Sequence, residues 1–119
     1  MLSPLDADTA NGYNESTKTR EEKGMQDLTG LRASLDAVDA ELVRLFERRM
    51  ALAGEVAAYK RAHGLPVLDA DREARVLASR RAMLRDPALA GACDRLFTQL
   101  MALSREAQTR VIEEGQPDA

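Results

Sequence analysis

The stretch LTGLRASLDAVDAELVRLFERRMALAGEVAAYKRA, Leu28 to Ala62, decides the fold. Apolar residues recur at Leu28, Leu31, Leu35, Val38, Leu42 and Leu45, then skip position 49 and resume at Leu52, Val56 and Tyr59. Steps alternating between three and four residues predict one long helix with a single apolar seam. Arg49 is the one charged residue in that seam. Taking a guanidinium out of water costs on the order of several kcal/mol unless anions pair with it, so a seam arginine predicts a partner for its charge. Lys60 follows eleven residues later, three turns of helix, so it projects from nearly the same side about 16 Å along the axis. Two cations are therefore expected to face one interior space.

Working outward, Gly and Pro interrupt the rest of the pattern around Gly64-Leu65-Pro66, at Asp86-Pro87 and at Gly91, and β-branched residues are few. This punctuation predicts three helices and an all-α fold. The second helix is expected to begin after Pro66, with Asp69 or Asp71 as its N-cap, and to run to about Leu84. Asp86-Pro87 is expected to open the third, which carries Leu89, Cys93, Leu96, Leu100, Leu103 and Val111 on one stripe to about Glu113. The first helix would be about 50 Å long. Two shorter helices in a folded unit of this size cannot cover it, so a second copy of the chain is expected to complete the core as an intertwined homodimer.

Residues 1–27 are polar, with almost no apolar periodicity, and read as a disordered leader; residues 28–114 read as the folded domain and 115–119 as a flexible tail. Leu5, Asp6 and Asp8 open the chain without an apolar core segment, so neither a signal peptide nor a transit peptide is expected. No run is long enough to cross a membrane, which makes a cytoplasmic protein the default. The Asn14-Glu15-Ser16 glycosylation pattern lacks a secretory context and reads as chance.

The chain has one cysteine, Cys93, and one histidine, His63, which excludes an internal disulfide and a Cys/His metal site. Net charge is −3 and aromatics make up 3% of the residues, so a basic, aromatic-studded nucleic-acid face is not supported. Any catalysis must run on arginine, lysine, carboxylates and amides.

Asp69, Arg72 and Glu73 share one helical face at i, i+3 and i+4, as do Ser104 and Gln108 further on at i, i+4. By themselves the first set is compatible with an N-cap and a surface ion-pair cluster, and the second with a half-buried helix edge.

Their order and spacing decide between these readings. From Leu31-Arg32 through Asp39, Arg49, Lys60, Asp69 and Arg72-Glu73 to Ser104-xxx-Gln108, the sequence resembles the all-helical (AroQ-class) chorismate mutases, found alone or fused to prephenate dehydratase or dehydrogenase. The resemblance covers about residues 28–112, with one small length difference before the third helix. It implies a substrate site made of Arg32, Arg49, Lys60, Asp69, Arg72, Glu73, Ser104 and Gln108, with a net charge of +2 facing the chorismate dianion. The reaction it implies is a pericyclic rearrangement to prephenate, which needs no nucleophile, metal or cofactor. By the same resemblance Arg32 and Arg49 clamp the two carboxylates, with Arg32 coming from the partner chain. On a helical wheel Arg32 points about 100° away from Arg49, which also places it poorly for its own chain's pocket. Lys60 and Gln108 are then expected to donate to the ether oxygen, Glu73 and Asp69 to hold the ring hydroxyl, Ser104 to help hold the ring carboxylate, and Arg72 to support the acidic pair.

Arg105 departs from that pattern, since the residue after the family's serine is usually apolar and near the substrate ring. It either turns outward or alters the pocket. Two other readings stay open. A mutase of 4-amino-4-deoxychorismate would differ at the ring-hydroxyl end, where Asp69 and Glu73 accept equally well from an amine. A non-catalytic dimerisation or regulatory module would have Arg49 and Lys60 each neutralised by a carboxylate, leaving no cavity. Isochorismate-pyruvate lyases share the fold but lack the Asp-xx-Arg-Glu segment present here.

Overall fold

A computed structural model describes residues 27–115; the polar leader apart from Asp27, and the tail after Gly115, lie outside the described residues. Three α-helices are present, α1 (Leu28–Ala62), α2 (Ala70–Ala82) and α3 (Ala90–Glu114), with a single 3₁₀ turn at Pro87–Leu89 before α3 and no strand among the described residues. The chain divides into two units between Val43 and Arg44, a boundary that falls inside α1. The first unit contributes the amino-terminal half of α1. The second holds the remainder of α1, α2 and α3.

Each boundary has a local cause. α1 opens where the Asp27 carboxylate accepts from the Gly30 amide at 2.7 Å. It closes in a Schellman arrangement: the Leu65 amide donates to the Lys60 carbonyl at 2.8 Å and the Gly64 amide to the Arg61 carbonyl at 3.4 Å. Gly64 supplies the left-handed residue this motif requires, with φ of +66°. Asp69 is the N-cap of α2, its side chain accepting from the Arg72 amide at 3.0 Å. α2 ends at Ala82, short of the expected Leu84, because the Met83 and Leu84 amides turn back to the Arg80 and Arg81 carbonyls in the tighter i→i+3 pattern. Asp86 likewise caps the Pro87–Leu89 turn by accepting from the Ala88 amide at 3.0 Å, and this turn stands where a continuous third helix was expected.

Within the second unit the core is small. Ala53 and Ala57 of α1, Val76 of α2 and Met101 of α3 are buried, together with two polar residues of α3, Ser104 and Gln108. Alanines on α1 let α3 approach closely, and Gly54 continues that strip: a Cβ there would lie 3.9 Å from the Val111 side chain. The large apolar residues of the α1 seam, by contrast, are exposed in the single chain, from Leu35 at 60% through Leu42 and Leu45 to Tyr59 at 59%. The seam predicted from the sequence is therefore present and exposed among the described residues.

Candidate active site

The second unit contains a cleft of about 480 Å³ whose walls come from all three helices. α1 contributes Arg49 and Lys60, α2 with its cap contributes Asp69, Arg72, Glu73 and Arg80, and α3 contributes Ser104, Arg105 and Gln108. Five cationic side chains face two carboxylates, and Leu52, Val56 and Val76 provide apolar floor between them.

Arg49 is half-buried at one end. Its Nη1 donates to the Ser104 hydroxyl at 2.8 Å and to the Leu100 carbonyl at 3.5 Å. Among the described residues no carboxylate pairs with it; the two ion pairs there are Arg81 with Asp94 and Arg105 with Glu73. Burial, then the neighbouring Arg80 and Arg72 guanidiniums, push the Arg49 pKa below its ordinary value. Arginine does not surrender its proton at neutral pH, so the cation stays in surroundings whose burial and like charges disfavour it. An anion in the cleft would supply the opposite charge that Arg49 lacks among the described residues.

Lys60 occupies the other end. The carbonyl of this residue helps close α1 while its ammonium reaches into the cleft, donating to the Val67 carbonyl at 2.6 Å and to Gln108 Oε1 at 2.9 Å. Gln108 is 8% exposed. With its oxygen turned to the ammonium, an orientation assigned from this hydrogen-bond network, its amide NH₂ is left as a donor. Two fixed donors thus converge where α1 and α3 approach one another.

On the α2 side, Asp69 caps the helix and Glu73 Oε2 accepts from Arg105 Nη1. Arg105 therefore lines the cleft and does not turn outward. Arg72 is exposed at the cleft wall. Arg32, alone among the eight predicted site residues, is outside this unit; it lies on α1 in the first unit, and its side chain makes no hydrogen bond or ion pair among the described residues. The other seven all line the cleft.

Two polar wall groups, the Val67 carbonyl and the Arg80 guanidinium, were not singled out from the sequence. The Val67 carbonyl carries no side-chain signal at all. Arg80 did have one: it sits seven residues after Glu73, on the same helical face. Arg105 was noticed as a departure, but its pairing with Glu73 depends on how α2 and α3 pack. Among the described residues no group of three or more His, Cys, Asp and Glu is arranged to hold a metal, and no helix is long and apolar enough to cross a membrane.

A family model described as chorismate mutase type II matches residues 31–109, about two thirds of the chain. The chain is also similar to two curated proteins, each named T-protein. The one from Haemophilus influenzae (strain ATCC 51907 / DSM 11121 / KW20 / Rd) is 40% identical over 57 residues, 48% of this chain and 15% of that protein. The other, from Enterobacter agglomerans, is 46% identical over 55 residues, 46% of this chain and 15% of that protein. The match thus spans only a small part of either relative's length. No solved structure matches the chain significantly.

Proposed function

This chain belongs to the chorismate mutase type II family, and on that premise we propose that it catalyses the rearrangement of chorismate to prephenate, acting in the cytoplasm on the route to phenylalanine and tyrosine. In this reaction the ether C–O bond breaks as a new C–C bond forms within one cyclic array of electrons. Nothing enters or leaves, so the protein has no proton or group to transfer. Its task is to hold the compact, chair-like conformer and to stabilise the charge that builds on the ether oxygen.

One observation carries the reading above all: Arg49 is half-buried in an open cleft, with a hydroxyl and a carbonyl as its partners and no carboxylate among the described residues. A non-catalytic packing module would neutralise that charge within the fold. Here the charge is held ready for an anion, and chorismate is a dianion. Arg49 takes one carboxylate, with Ser104 fixing the guanidinium through its 2.8 Å hydrogen bond. The Lys60 ammonium and the Gln108 amide NH₂ donate to the ether oxygen. Glu73 and Asp69 accept from the ring hydroxyl, and Arg72 adds to the field that draws the dianion in.

The second carboxylate falls to Arg32 of a second copy. The exposed apolar seam along α1 supports this assembly, since a continuous apolar stripe on a helix is covered by a like stripe in a homodimer. Residues 28–114 then act as the mutase domain, with the polar leader and the short tail outside it.

The test is loss of chorismate absorbance with the purified chain in metal-free buffer, with the product converted by acid to phenylpyruvate. Saturable turnover abolished by Arg49→Ala is the expected result. No turnover by a folded protein would overturn the reading.

A further inference from the structure

We infer that Arg105 makes this site selective for a neutral hydroxyl over an ammonium at the ring carbon that Glu73 faces, an inference that rests on the mutase reading above. Arg105 follows Ser104 directly on α3, and the burial of Ser104 fixes the face from which the Arg105 stem leaves the helix. Its Nη1 donates to Glu73 Oε2, with the two side chains 35% and 26% exposed. Arg105 also lines a neighbouring cleft with Val67, Leu68 and Thr109, so it stands between the two clefts.

The consequence is electrostatic. Glu73 is faced by Arg105 from α3, by Arg49 and Lys60 from α1, and by Asp69, Arg72 and Arg80 from its own helix and cap. Asp69, the other carboxylate lining this cleft among the described residues, is already accepting from the Arg72 amide. A carboxylate paired with one guanidinium keeps free lone pairs, so it still accepts a hydrogen bond from a hydroxyl. Its negative charge, however, is already compensated. An aliphatic amine at that carbon is an ammonium at pH 7. It would enter a region with a surplus of cations and sit beside the Arg105 guanidinium, where like charges disfavour it by about tenfold or more. Without Arg105, Glu73 would lose its ion-pair partner among the described residues, and one of the five cations of the cleft would be gone, so an ammonium would be accepted more readily. Arg105 is thus a positioning and specificity-determining residue: it acts on the substrate through Glu73.

The experiment compares kcat/KM for chorismate and for 4-amino-4-deoxychorismate in the full chain and in Arg105→Met, Arg105→Gln and Arg105→Lys. The wild-type chain is expected to prefer chorismate. Arg105→Met and Arg105→Gln are expected to shift the ratio toward the amino substrate by about tenfold or more, and Arg105→Lys to retain the wild-type ratio. Glutamine keeps a donor beside Glu73 without the charge, so it serves if methionine impairs folding, which circular dichroism reads. Equal losses on both substrates in the neutral variants would reduce Arg105 to a structural role and overturn the inference, leaving the mutase reading intact. A wild-type preference for the amino substrate would overturn it as well. Turnover of neither substrate by the folded wild-type chain would overturn the mutase reading, and the inference with it.

Discussion

The Lys60 ammonium lies 2.9 Å from the Gln108 side-chain oxygen, so that a residue from the last turn of α1 and one from the carboxy-terminal third of α3 form a single donor unit. The Val67 carbonyl holds the same ammonium at 2.6 Å. Lysine has three N–H donors, and two are used here. The third and the free amide NH₂ of Gln108 are the groups available to a developing oxyanion.

Removing either donor is therefore expected to cost transition-state stabilisation specifically. Lys60→Ala or Gln108→Ala should lower kcat by roughly 2–4 kcal/mol in barrier terms, with helical content unchanged by circular dichroism. Activity within a few-fold of wild type in both variants would remove these residues from the ether oxygen.

If Arg32 serves the partner's cleft, two inactive variants should complement each other. Arg32→Ala mixed with Arg49→Ala yields heterodimers with one intact site and one doubly damaged site. After subunit exchange, a 1:1 mixture should show roughly a quarter of wild-type activity. Mixing without recovery, once exchange has been demonstrated by mass spectrometry, would place Arg32 elsewhere.

The charge of the cleft should be visible in salt. Five cationic groups facing two carboxylates attract a dianion through a field that mobile ions screen. Raising ionic strength from about 0.01 to 0.15 M shortens the Debye length from about 30 to 8 Å, and should raise KM several-fold with little change in kcat. A KM indifferent to salt would mean that this field contributes nothing to substrate capture.

Gly64 tests the end of α1. At φ of +66° an alanine is strained by roughly 1–2 kcal/mol, and Gly64→Ala should lower the melting temperature by several degrees. Because the Schellman turn also orients Lys60, kcat should fall with it. An unchanged thermal melt would show that the turn relaxes without cost.

Much of this was legible in the sequence because helices declare themselves locally. The three-and-four spacing from Leu28 to Tyr59, the Gly64-Leu65-Pro66 break and the Asp69 cap each act over four residues or fewer, and the observed boundaries follow them closely. The Pro87–Leu89 turn and the early end of α2 differ from expectation for a reason of the same scale: i→i+3 and i→i+4 hydrogen bonds compete within a single turn, and sequence pattern hardly separates them.

The site divides along a different line. Helical periodicity determined that Asp69, Arg72 and Glu73 share a face, that Ser104 and Gln108 share another, and that Arg49 and Lys60 project together from α1. Which of these faces meet was decided by packing. Only the approach of α3 to α1 sets Ser104 against Arg49 and Gln108 against Lys60, across 55 and 48 residues of chain. Only the approach of α3 to α2 brings Arg105 to Glu73, 32 residues away. The periodicity of a helix fixes the direction of a side chain about its own axis, whereas its partner depends on side-chain volumes in a different helix, and those pairings exist only once the small core of Ala53, Ala57, Val76 and Met101 has closed.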